Sequence, residues 1–209
     1  MNKNIIITIL LSFFLKLFDE ISDNPQNFII LSKYKNILSI LTFLSTILYS
    51  FLGSGYSLLI FAEGIFCAFE KQIDQNIYKL GMIILFFGIV LNDHNQIKKL
   101  IFTKSGILYL IGTFVFIVLE EKLFPEEESK TKFISRIIII IGGIMCYYFY
   151  IRNIRDNELR IMLTSNWFAS IAYYITSVIL KLCQGNPLEE NSSYIDELIK
   201  RVYTLFCFT

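Results

Sequence analysis

Seven apolar stretches follow one another along this chain, and short polar breaks separate them: Asn4–Phe18, Ile37–Leu52, Ser57–Glu70, Ile77–Asn92, Gly106–Leu119, Phe133–Tyr150 and Ile161–Leu182. Crossing a bilayer core about 30 Å thick takes about 17–25 mostly apolar helical residues. Several stretches are shorter, so they extend by a few residues at their ends or sit in a thinned bilayer. Helices are expected because unpaired backbone is not tolerated in lipid. The alternating strands of about ten residues that a membrane barrel needs are not visible.

Composition supports this reading. Hydrophobic residues make up 55% of the 209 and charged residues 18%, against about 45–50% and about 25% in soluble domains. With 20 Phe, 12 Tyr, 3 Pro and 10 Gly, the chain is not disordered, collagenous or a disulfide scaffold. A net charge of +1 provides no global field to recruit nucleic acid. The expectation is an all-α, polytopic transmembrane helical bundle of seven to eight spans. It forms a single integral-membrane domain over 1–209. Ser193–Phe208, apolar at helical spacing, is an interfacial helix or a short eighth span. The first stretch is read as a retained span: Lys16, Asp19 and Glu20 stand where a signal peptide would have small residues. Cys67, Cys146, Cys183 and Cys207 show no metal-like spacing. His94 and Trp167 are read as a loop histidine and an interfacial indole.

The charges are unevenly placed. With seven spans, fourteen of the eighteen acidic residues fall on the side of the odd loops and the C-terminus. Lys and Arg divide 12 to 7 in favour of that same side, so the positive-inside rule places it weakly in the cytoplasm. Two acidic clusters stand out there. In Phe18-Asp19-Glu20-Ile21-Ser22-Asp23, Asp19 and Asp23 share one face if the helix continues. Asn27 extends the series unless Pro25 breaks it. Two such carboxylates repel unless a cation lies between them, and Mg²⁺ takes such oxygens. A solvated helix end stopped by Asn24-Pro25 is the plainer reading. In the second cluster, Glu120, Glu121, Glu126, Glu127 and Glu128 surround Pro125, with Lys122, Lys130 and Arg136 nearby. A helix start after Pro125 accounts for Glu126–Glu128 but not for Glu120 and Glu121, which the helix dipole disfavours. Acid beside base suits a metal–diphosphate pair.

The Phe-Asp-Glu-x-x-Asp sequence at 18–23 resembles the first acidic motif of the UbiA superfamily of intramembrane prenyltransferases, and the 120–128 stretch is similar to that family's second acidic loop. The two follow spans 1 and 5, which fits the family if its first helix is lacking here. The resemblance implies Mg²⁺-dependent transfer of a prenyl group from an isoprenyl diphosphate to an acceptor inside the bundle. It implies catalytic, metal-holding roles for Asp19 and Asp23, with Asn27, Glu120, Glu121, Glu126 and Glu127 completing the metal site. Lys33, Lys122, Lys130, Arg136 and Glu63 are the candidate substrate-binding residues, from acidic loops at about 19–35 and 120–132 and from mid-span 3. The chain departs from the family's pattern by having Glu in place of the second Asp-x-x-x-Asp. Glu63 is a functional candidate in its own right, since an intramembrane acid faces the bundle interior. It supports the alternatives of a cation transporter or channel; a non-catalytic membrane protein is the third reading. The expected partners are an isoprenyl diphosphate or other lipid and the membrane lipids, with no nucleic acid.

Overall fold

The computed structural model describes residues 3–23, 25–69, 75–123 and 129–183. At helical positions 66, 69, 119–123, 129–135 and 181–183 only the backbone is described. Every described apolar stretch is helical, and no strand occurs among the described residues. The elements are α1 (Lys3–Asp23), α2 (Ile29–Ser32), α3 (Lys35–Ser50), α4 (Ser54–Phe69), α5 (Asn76–Leu91), α6 (Asn95–Phe102), α7 (Lys104–Leu123), α8 (Ser129–Phe149) and α9 (Asn157–Cys183). A 3₁₀ turn, Pro25–Phe28, precedes α2, and another, Ile151–Asn153, precedes α9. The seven expected spans correspond to α1, α3, α4, α5, α7, α8 and α9. The segment Ser193–Phe208 lies outside the described residues.

One break expected to be loop is a helix. Asn95–Phe102 is amphipathic and buries Leu100 completely. It leaves α5 at 99° and docks under the corner between α3 and α4. Gly53 turns that corner with φ +131°, a conformation open to glycine. The Gln96 side chain fills the space a Cβ would take there and accepts the Gly55 N–H at 3.1 Å.

The core lies along α9, which packs against α1 and α8, while α3 joins α1 to the α4–α5 pair. On α3 the polarity is inverted relative to a helix on a protein folded in water. On α3 the buried side chains are Leu38, Thr42, Ser45, Thr46, Tyr49 and Ser50. Its outward face carries Ile37, Ile40, Leu44 and Leu48, each about half exposed. The inward hydroxyls bond to carbonyls of their own helix: Thr42 to Leu38, Ser45 and Thr46 to Thr42, Ser50 to Ile47. Such back-bonding satisfies a buried hydroxyl without a partner helix. Thr42 also donates to the Phe14 carbonyl of α1 at 3.1 Å. Helix α5 repeats the pattern. It buries Gly81, Leu85 and Gly88 and exposes Leu80, Ile83, Phe86, Phe87 and Val90. A Cβ on Gly88 would collide with Ser57 and Ser50, so glycine sets how closely α5 approaches its neighbours. Among the described residues no single helix is both long and apolar enough to cross a membrane. Two bent pairs, Pro25–Ser32 with Lys35–Ser50 and Asn76–Leu91 with Asn95–Phe102, reach that mark together.

Candidate functional site

Helix α1 carries Thr8, Ser12, Lys16 and Glu20 at four-residue intervals, and all four are buried. Four-residue spacing keeps them on one face. The lower half of that face holds an ionic cluster. Lys16 Nζ lies 2.8 Å from Asp19 Oδ2 and 2.9 Å from Glu20 Oε1. Arg136 Nη1, from α8, approaches Glu20 Oε1 to 3.6 Å, an ionic contact without a hydrogen bond. Ser177 of α9 donates to Glu20 Oε1 at 3.5 Å. Tyr78 of α5 donates to Asp19 Oδ1 at 3.2 Å. The Lys16 ammonium sits 5.0 Å from the centre of the Tyr173 ring, within cation–π range. Lys16, Glu20 and Arg136 are only 4%, 5% and 6% exposed. Charges so deeply buried persist only when paired, and among the described residues two acids here face two bases.

A second polar group lies higher in the bundle. Asn166 of α9, fully buried, donates through Nδ2 to Glu63 Oε1 of α4 and to the Tyr109 hydroxyl of α7, each at 3.1 Å. The Tyr49 and Tyr109 hydroxyls lie within electrostatic range of Glu63. Asn166 Oδ1 and the Tyr49 hydroxyl are buried without a hydrogen-bond partner among the described residues. Buried polar atoms of this kind are rare and call for an explanation. Asn166, Ser170, Tyr173 and Ser177 fall on one face of α9 by their spacing. That face joins the Glu63 group to the Lys16 group as one polar seam: Asn166 is about 10 Å from Tyr173 and about 16 Å from Ser177 along α9, at about 1.5 Å per residue.

The sequence-predicted residues divide accordingly. α1 does continue to Asp23, so Asp19 and Asp23 share a face, Asp19 half-buried and Asp23 exposed. Asn27 is exposed in the 3₁₀ turn after Pro25, off the α1 face. The proline interrupts the helix before the series reaches it. Lys33 is exposed in the turn after α2. Arg136 is buried and Glu63 half-buried, one in each polar group. Glu120, Glu121 and Lys122 occupy the last turn of α7 and Lys130 the first turn of α8; their side chains are not described. Glu126 and Glu127 lie outside the described residues. Among the described residues no three His, Cys, Asp or Glu side chains gather as a metal would require. Asp19, the intended first ligand, is held by an ammonium and a phenol, so the described residues do not by themselves fit Mg²⁺.

Sequence reasoning missed Lys16, Glu20, Tyr78, Tyr109 and Asn166 as site residues. The available signal was the Thr8-Ser12-Lys16-Glu20 spacing, a polar stripe through an apolar run. Comparison of the chain with protein-family models, with curated proteins and with solved structures gave no match.

Proposed function

We propose that the chain is an integral membrane protein that carries protons along an interior polar seam, with Glu63 as the carboxylate that takes up and releases them. The observation that carries this reading is the Glu63 group. A half-buried acid sits beside an amide oxygen and a phenol that have no hydrogen-bond partner among the described residues, while the outward faces of α3 and α5 are apolar. Ionisable residues inside membrane bundles mark ion pathways and proton relays. Protonation makes Glu63 a neutral O–H donor, and loss of that proton leaves a carboxylate that the Asn166 amide N–H stabilises. Tyr109 bonds to Asn166, Ser177 bonds to Glu20, and Ser170 and Tyr173 stand between them on the same face of α9. Helix α1 falls short of an apolar span because of Lys16, Asp19 and Glu20. Lys16 and Glu20 are turned inward and paired, so lipid does not meet their charge. The outward Ile and Leu of α3 and the glycine seam of α5 match helix packing in lipid, where small residues face partners. The side carrying Asp19 and Asp23 is assigned to the cytoplasm.

The test is reconstitution into vesicles holding a pH-sensitive dye, with a potassium diffusion potential as the driving force. Wild-type vesicles acidify faster than empty ones, and Glu63→Gln reduces the rate to the empty-vesicle value. Equal rates for wild type and Glu63→Gln overturn the reading.

One observation favours a second reading, binding or transfer of an isoprenyl diphosphate. The Arg136–Glu20 contact brings the first third of α8 to the end of α1 that carries Asp19 and Asp23, so acid and base meet there. Since the described residues do not fit Mg²⁺, no step is built on a metal. Mg²⁺-dependent binding of an isoprenyl diphosphate that is lost in Asp23→Asn would support this reading, and no binding would dismiss it.

A further inference from the structure

The end of the bundle opposite Asp19 holds a cavity of about 220 Å³, far more than the roughly 10–15 Å³ one water needs by the same measure. Its walls are Ile5 of α1, Tyr147 of α8, Arg152 of the 3₁₀ turn, and Arg160, Ile161 and Thr164 from the first turns of α9. Two arginines, Arg152 exposed and Arg160 half-buried, therefore border one space. Among the described residues neither arginine is in an ion pair. Among the described residues the Arg160 guanidinium donates to the Asn157 carboxamide, at 2.7 Å. The nearby acids are already engaged. Glu158 and Asp156 both pair with Lys99, and Asp156 also accepts the Leu159 N–H at 2.9 Å. The start of α9 adds the positive end of a 27-residue helix. Guanidinium forks match the oxygens of phosphate in pairs. The Thr164 hydroxyl is a further donor, and Ile5 and Ile161 supply an apolar wall beside the charged one.

We infer that this cavity binds a terminal phosphate, one not esterified on a second side, with Arg152 and Arg160 as its ligands. The phosphate has two sources of the same chemistry: a lipid headgroup whose chains run over Ile5 and Ile161, or free phosphate. The site is separate from the Glu63 seam, and the two stand or fall independently.

The chain provides its own reporter. Trp167 is its one tryptophan, and its ring stacks on Tyr147, a wall of the cavity, at 4.9 Å between centroids. The full chain in detergent is titrated with inorganic phosphate, and separately with mixed micelles containing phosphatidic acid or phosphatidylcholine alone. A saturable change in Trp167 emission with phosphatidic acid, absent with phosphatidylcholine, is expected. Arg152→Gln and Arg160→Gln each weaken it at least tenfold, and Arg155→Gln, outside the cavity, leaves it unchanged. Saturation by inorganic phosphate with no gain from the lipid supports the site and assigns it to soluble phosphate. No saturation with either probe overturns the inference. So does wild-type affinity in both arginine variants, provided circular dichroism shows them folded.

Discussion

Glu20 is the residue on which the lower polar group turns. It accepts from Lys16 and Ser177, faces Arg136, and has almost no contact with solvent. Replacing two such charges by apolar groups together is often tolerated, whereas removing one leaves the others buried and uncompensated. Glu20→Gln keeps the shape and removes the charge. It should lower unfolding free energy by about 3–5 kcal/mol, read from denaturant titration in detergent. Adding Arg136→Gln should restore part of that loss. Strict additivity of the two losses would mean the pair is not coupled. The motif at 18–23 was legible in the sequence, but its division of labour was not. Asp19 and Asp23 were selected by spacing, while Glu20 proves the inward one because the α1 face is set by α9 and α3. That orientation is a tertiary fact.

At the scale of elements, the start of α9 shows how a helix end is fixed. Asp156 stands just before Asn157 and accepts the Leu159 N–H, one of the amides a helix start leaves without an intrahelical partner. This bond first, and the Lys99 ammonium after it, hold the Asp156 carboxyl below its ordinary 3.8. A depressed carboxyl contributes stability that is complete above the unfolded value and fades as pH falls through the folded one. Asp156→Ala should therefore cost about 1 kcal/mol at neutral pH, and the gap from wild type should close as pH drops below 3.8. Thermal unfolding at a series of pH values checks this; a gap that persists in acid rejects the cap. Lys99 runs the other way. Its hydrogen bond to Glu158 raises its pKa above 10.5, so its contribution is full below that value and is lost as pH rises through the folded one. Helix α6 belongs to this scale too. Its eight residues are too few to stand out from a loop despite their amphipathic spacing, and the glutamine that anchors them meets a corner formed far away in sequence.

For the whole molecule, the apolar outward faces of α3 and α5 and the hydroxyls turned inward on α3 have the widest consequence. In water, apolar faces left outside and hydroxyls packed inside would be unfavourable on both counts. In lipid both arrangements are stable. Leu44, midway along α3 and 48% exposed, should then be intolerant of charge. Leu44→Lys should reduce the inserted fraction in a membrane-insertion assay by the equivalent of about 2.5–3.5 kcal/mol if it sits at mid-bilayer. Ser45→Ala, on the inward face, should insert as wild type does. Unchanged insertion of Leu44→Lys would place this face outside lipid.

The sequence by itself determined that the chain is helical, where seven of its helices lie, and where acidic residues accumulate. Apolar run length and charge position are local properties, so they could be read residue by residue. Only the tertiary structure decided which charges face inward. Hydrophobic periodicity orients a helix when one face is apolar, but here the outward faces are apolar and the inward ones mix leucine with hydroxyls, glycine and charge. With the usual contrast reversed, the inward direction of Lys16, Glu20, Glu63 and Arg136 was settled by which neighbours the helices packed against.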